Sequence, residues 1–348
     1  MTSRERMLAA QRGERPDRVP VSPFGLGHLD PQSTIAAELI ARTDPFLSAG
    51  LGGNTFAGTA VETTVQQVGD ETVTQIQTPS GPLVQRYRRT DITGCMVEFP
   101  CKTAADVEAY LAIPFVAAVP QVEGFLEQRA RIGDDAILLA GIGDAICFPA
   151  SILSPEDMCL LSIDVPDLLR RCVQVAHERL MVYVEAACRG GVDAWRIVGG
   201  EYATEQLGPD GFDDLVKPWD TELVSLMHDH GALAYYHNHG YVDIYLETFA
   251  DLGIDFLDPL EVPPYGNVDL GEAHRRIGDR VCLVGGLDDM EVLETRDEAT
   301  VRQMGRAHLE SVGHESGFCL GGTASGTYTE VAARNFVALV EESERFCN

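Results

Sequence analysis

The residues best suited to do chemistry are His237 and His239, in the run Tyr235-Tyr236-His237-Asn238-His239-Gly240 that follows apolar Ala232, Leu233 and Ala234. In an extended segment, residues two apart point to the same side. The two imidazoles can therefore converge on one ion, and Gly240 leaves open space beside them. Neutral imidazole is a zinc ligand, and catalytic zinc uses about three protein ligands plus an open position. The spacing has a plainer reading as well: two hydrogen-bonded histidines near a strand end.

A third ligand would come from elsewhere in the chain. Glu201 follows Gly199-Gly200 and precedes Tyr202, which suits a carboxylate at a strand end. Cys319 sits among apolar neighbours and reads either as a ligand or as core. With two neutral imidazoles and one anion, a zinc site keeps net positive charge. It would then act as a Lewis acid on a heteroatom. Asp144, Tyr202 and Glu261 are the candidates to position substrate or shuttle a proton. His28, Asn54 and Asp288 are candidate substrate contacts. Asp144, Asp258 and Asp288 also admit a capping role at strand-to-helix turns. His28 also admits a solvated one. His177, His228, His230, His274, His308 and His314 read as structural or surface residues.

What must position these groups is a repeated strand-and-helix unit. Candidate strands are Arg18–Phe24, Leu51–Phe56, Ala136–Ile142, Ala194–Val198, Ala232–His237, Phe256–Leu257 with neighbours, Val281–Gly285 and Phe318–Leu320 with neighbours. Helical spacing fills most intervals, most clearly over Val165–Arg189, then Gly211–Asp229, Val242–Leu252, Glu291–Val312 and Thr329–Phe346. Eight strands with helical crossovers predict an α/β fold, a (β/α)8 TIM barrel, over residues 1–348 as one domain. Chemistry in such a barrel sits at the C-terminal ends of the strands, where the candidates above fall, Cys319 at the end of the eighth. Alternation over Thr72–Gln77, the turn Pro79-Ser80-Gly81 and alternation over Leu83–Tyr87 predict a β-hairpin insertion near residues 70–101, serving as a lid or an interaction surface. No GxGxxG follows the first strand and no P-loop is present, which disfavours a doubly wound nucleotide fold.

Acidic residues outnumber basic ones 54 to 26, a net charge of −28. That field repels nucleic acid and anionic membranes. The nine cysteines are odd in number and form no CxxC, so they read as reduced thiols of a cytoplasmic protein. The chain opens into an amphipathic helix rather than a signal peptide, and no apolar run reaches the roughly 18 residues that span a bilayer.

The opening Ser3-Arg4-Glu5-Arg6-Met7-Leu8-Ala9-Ala10, the stretch Gly13 to Val21, Thr78-Pro79-Ser80-Gly81, His237 to Val242 and Gly285-Gly286-Leu287-Asp288 resemble the uroporphyrinogen decarboxylase superfamily along essentially the whole chain. The resemblance implies a (β/α)8 barrel, a dimer, and one of two activities. One branch holds metal-free decarboxylases. The other holds methyltransferases that work with corrinoid proteins, many of them zinc enzymes. The chain departs from the first branch: Ser22 to Asp30 contains no arginine where that branch binds substrate carboxylates, and Thr323-Ala324-Ser325-Gly326 replaces a Gly-His-Gly loop. It departs from the second in carrying His239 where a cysteine is usual, with Cys319 earlier than the usual second cysteine.

The resemblance therefore implies a methyltransferase or demethylase moving a methyl group between a small O- or S-methylated substrate and a corrinoid protein. Zinc would be held by His237, His239 and either Glu201 or Cys319, and methylcobalamin or another corrinoid would be carried by the partner. A metal-free decarboxylase is the alternative. A non-catalytic binding protein is the third reading, disfavoured by the density of polar strand ends.

Overall fold

The computed structural model describes residues 1–90, 94–313 and 316–347; His314 lies outside the described residues, as do residues 91–93 within the expected hairpin region. Twelve strands are numbered in chain order: β1 Val21–Ser22, β2 Phe46–Ala49, β3 Thr63–Val68, β4 Glu71–Ile76, β5 Leu83–Arg89, β6 Gly94–Glu98, β7 Ile137–Gly143, β8 Ala194–Val198, β9 Leu233–His237, β10 Phe256–Leu260, β11 Cys282–Gly286 and β12 Phe318–Gly321. Eight of them form one parallel sheet in the order β1-β12-β11-β10-β9-β8-β7-β2. The remaining seam closes through a parallel bridge between Phe24 and Phe46. Backbone bonds there run from Gly25 N–H to the Phe46 carbonyl (2.7 Å) and from Phe46 N–H to the Pro23 carbonyl (3.0 Å). The (β/α)8 barrel is therefore present, with helices packed around it.

Two of the expected strands sit differently. β1 is only Val21–Ser22, because Pro20 and Pro23 flank it and have no N–H for a ladder. The second barrel strand is Phe46–Ala49, ahead of the expected Leu51–Phe56. Gly52 and Gly53 have φ of +66° and +79°, and a Cβ on Gly53 would stand 2.9 Å from the Ala118 Cβ, so this stretch is a turn. The helix over Pro166–Arg189 is as expected. The expected helix over Gly211–Asp229 is two, Gly208–Leu215 and Lys217–Asp229, with Pro218 in the first turn of the second. The expected hairpin is β4 and β5, paired from Glu71↔Arg88 to Ile76↔Leu83. It is enlarged on both sides into the antiparallel sheet β3-β4-β5-β6, whose outer strand β3 is exposed throughout.

Strand alternation divides the core in two. Ala194 and Tyr235 point into the barrel with Phe46, Ile137, Leu139, Phe256, Cys282, Val284 and Cys319. Trp195, Ile197, Ala234 and Tyr236 point out against the helices. Met7 and Ala10 of the N-terminal helix Ser3–Gln11 complete the inner cluster, so that helix plugs the bottom of the barrel. The same period of two puts Arg196 and His237 on the inner face, one step nearer the mouth than Ala194 and Tyr235. Among the described residues no helix is long and apolar enough to cross a membrane.

Candidate active site at the barrel mouth

His237 ends β9, and Asp258 pairs with it in register from β10. Both are buried, and His237 Nδ1 lies 2.5 Å from Asp258 Oδ1. The Asn238 N–H also donates to the Asp258 carbonyl (2.8 Å), which locks the two strand ends together. Just beyond the strand, His239 Nδ1 lies 3.2 Å from Glu261 Oε1, and Gly240 N–H donates to Glu261 Oε2 (2.9 Å). The two rings meet edge to face, centroids 4.6 Å apart. Each carboxylate accepts the Nδ1–H of its imidazole, which leaves Nε2 of each ring to act as base or ligand. Burial works against the charged form of His239, but the hydrogen bond and charge of Glu261, helped by Asp258 and Glu201, outweigh it and raise the pKa. Gly240 does not open free space beside the rings. Its φ is +102°, and a Cβ there would fall 1.9 Å from Glu205 Oε1.

The floor beneath the imidazoles is aromatic. Tyr235 packs on Phe46 (4.6 Å between centroids), Phe24 (6.0 Å) and Phe256 (6.1 Å). Arg196 reaches across this floor from the fourth barrel strand to the first, its guanidinium carbon 4.3 Å from the centre of the Phe24 ring. The side chain therefore points inward. Alternation along the strand from Ala194 is the sequence signal that gives this direction.

Asp289 is a second residue that motif reading passed over in favour of its neighbour Asp288. It is buried and accepts from Thr323 N–H (3.1 Å), Ser325 N–H (2.9 Å) and the Ser325 hydroxyl (2.7 Å). A Cβ on Gly322 would strike its Oδ1 at 1.8 Å. Asp289 thus ties the loop after β12 to the end of β11, fixing one wall of the mouth. Asp288 instead caps the short helical turn Asp289–Leu293, accepting from Met290 N–H (2.9 Å) and Glu291 N–H (2.7 Å).

The other predicted residues separate into three groups. Glu261 joins the mouth, as above. Asp144 is fully buried behind it, beside Asp220, whose carboxyl accepts from the Tyr236 hydroxyl (2.7 Å). Burial is the main force raising both carboxyls, Asp144 strongly and Asp220 to about 7. Asp144 also receives Cys147 N–H (3.3 Å), the capping role. Glu201 accepts the Gly199 N–H (3.1 Å). Tyr202 lines a cleft of about 260 Å³ with Met96, Phe99 and Gln206, between the antiparallel sheet and the barrel rim. His28 and Asn54 are exposed. The Asn54 side chain accepts from Phe56 N–H (3.1 Å) and Ala57 N–H (2.8 Å), which makes it a turn-former.

Cys319 corrects the expectation of a ligand. It is buried in the inner apolar cluster with its sulfur 3.7 Å from that of Cys282, which is the core reading. Among the described residues no group of three or more His, Cys, Asp or Glu side chains is placed to hold a metal ion. Two imidazoles converge, and the third protein ligand that catalytic zinc ordinarily uses does not. The residues thus suit a proton-transfer pair better than a three-ligand zinc shell.

Comparison with known proteins agrees with this architecture. The sequence profile of the family "Uroporphyrinogen decarboxylase (URO-D)" matches residues 79–346. A uroporphyrinogen decarboxylase from Trichodesmium erythraeum is 22% identical over 244 residues, 64% of this chain and 65% of that protein. Another, from Thioalkalivibrio sulfidiphilus, is 28% identical over 192 residues, 51% of this chain and 49% of that protein. The matched region thus spans about two thirds of the length of the first relative and about half of the second. The solved structure of a methyltransferase from Methanosarcina mazei superposes with a TM-score of 0.65 over 98% of this chain and 99% of its own, at 16% identity, a likeness of fold. A closed (β/α)8 barrel with an ionisable mouth and a profile match over most of its length make this chain a member of the uroporphyrinogen decarboxylase family.

Proposed function

We propose that this family member is an enzyme that transfers a methyl group from or to a small O- or S-methylated substrate at the barrel mouth. The observation that supports it best is the pair of carboxylate-held imidazoles, His237 with Asp258 and His239 with Glu261. When a nucleophile takes the methyl carbon, the carbon–heteroatom bond breaks and its electron pair stays on the heteroatom. A proton delivered from an imidazolium Nε2–H completes the leaving alcohol or thiol. Asp258 and Glu261 stabilise the imidazolium and hold its orientation. The family resemblance, not a contact in the mouth, supports a corrinoid carried by a partner protein as methyl acceptor; a dimer rests on the same resemblance, and a cytoplasmic location on the unpaired cysteines. No step is assigned to zinc.

Metal-free decarboxylation is the second reading. The observation that favours it is the inward Arg196, a cation able to hold a carboxylate.

The test supplies cob(I)alamin as acceptor with methoxylated or methylthio acids and follows methylcobalamin by its absorption, with carbon dioxide release assayed in parallel. Methylcobalamin formation that falls about 10²–10⁴-fold in His237→Ala is expected. Carbon dioxide release without methyl loss would replace the proposal by decarboxylation. Activity should survive a chelator; one zinc per chain, lost in both His237→Ala and His239→Ala, would restore the metal reading.

A further inference from the structure

We propose that Arg196 is the anchor for a substrate carboxylate, so that the substrate is a small monocarboxylic acid held with its acid group on the barrel floor. The inference rests on the mouth being the reaction site, as proposed above.

The chain has 54 acidic residues against 26 arginines and lysines, so an unpaired arginine is unexpected in it. Arg196 nevertheless forms no ion pair among the described residues, and its Nε is buried without a hydrogen-bond partner. On the neighbouring strand, in register with it, the buried Tyr235 hydroxyl lies beside the Asp258 carboxylate. A buried guanidinium N–H without a partner is costly unless something meets it. The Phe24 ring under the guanidinium holds it in place and keeps water from one face. The result is a rigid fork over an apolar floor.

The chemistry selects a carboxylate. It is planar, and its two oxygens match the guanidinium fork. It carries one charge, which one free cation neutralises. A phosphate dianion would leave an excess negative charge below Asp258 and Glu261. Register then orients the substrate. Val198 and His237 are paired two residues nearer the mouth than Arg196 and Tyr235. With the acid group on Arg196, the far end of the molecule meets the imidazoles. A methyl-bearing group at that far end is thus remote from the anchored carboxylate.

Calorimetric titration of the full chain with methoxyacetate and 4-methoxybenzoate, their primary amides, and inorganic phosphate tests this without turnover. The acids should bind about 10–100-fold more tightly than the amides, the loss expected for one charged hydrogen-bonded contact. Arg196→Met, which keeps packing on Phe24, should bind acid and amide alike; Arg196→Lys should keep part of the preference. Thermal unfolding of both variants shows whether they fold. Equal binding of acid and amide to the unaltered protein, an intact acid preference in Arg196→Met, no binding of either acid, or phosphate binding more tightly than both acids would each overturn the proposal. Because binding alone is read, such a result leaves the methyl-transfer reading to be decided by methylcobalamin formation.

Discussion

Both ends of this barrel bury charged groups, and they treat them in opposite ways. At the N-terminal end, just ahead of β2, Asp44 is fully buried. Its oxygens meet Arg6 Nη1 at 2.6 Å and Arg18 Nη1 at 2.5 Å, and Oδ2 also accepts the Val21 N–H at 2.9 Å. Arg6 then closes onto Asp17 at 2.6 and 3.0 Å. The acid and both arginines are spent on one another, and the ends of β1 and β2 are tied to the N-terminal helix. At the C-terminal end, the imidazoles use one nitrogen each on a carboxylate, and the buried Arg196 Nε has no hydrogen-bond partner among the described residues. Closed networks at one end hold the barrel together; open valences at the other are what a ligand can use.

The largest effect that would separate the two ends is on stability. Asp44→Asn removes the only carboxylate that Arg18 meets among the described residues, and one of the two that Arg6 meets, and should cost roughly 3–5 kcal/mol in denaturant unfolding. Binding and turnover by the molecules that remain folded should be unchanged. A variant of full stability, or one that is stable but inactive, would erase the distinction. Within the mouth, the buried pair should matter more than the half-exposed one. Asp258→Asn is expected to lower kcat/KM roughly 10–100-fold with little change in unfolding, because Asn cannot hold the same tautomer of His237 as an anion does. Glu261→Gln should cost less, since side-chain exposure is 41% for His239 against 7% for His237. The reverse order would make His239 the principal group.

The smallest effect concerns the pair of buried carboxyls behind the mouth, Asp144 and Asp220. Asp220 is raised to about 7 in the folded chain, chiefly by burial. The unfolded chain releases this proton near pH 4 and the folded one only near neutrality, so the native state binds more protons in between. Its contribution to stability is full below about pH 4 and is lost as pH rises towards 7. Asp220→Asn should flatten that part of the stability profile and change neutral-pH stability by about 1–3 kcal/mol. An unaltered slope would mean that Asp220 is ionised in the native state.

Much of this was readable in the sequence where local pattern and tertiary demand coincide. Ala194–Val198 and Val165–Arg189 carry their period unmistakably, and the first is a strand with the bounds read from it. The antiparallel hairpin follows from alternation around Pro79-Ser80-Gly81, but its outer strands did not stand out, since β3 is exposed on both faces and has no apolar period. The second barrel strand was displaced because Phe46–Ala49 is too short to outweigh the longer Leu51–Phe56 run. Asp288 drew notice over Asp289 because a sequence shows two carboxylates side by side and not which of them is buried.

The sequence by itself determined the repeated strand–helix order, the acidic surface and the paired histidines at a strand end, because these depend on composition and near-neighbour spacing. Tertiary structure alone decided which carboxylate each imidazole meets, that Cys319 belongs to the core, that Asp144 shares a burial site with Asp220, and that Arg196 reaches across the barrel onto the Phe24 ring. Those facts depend on the stagger and closure of eight strands, which bring together residues that no spacing along the chain relates.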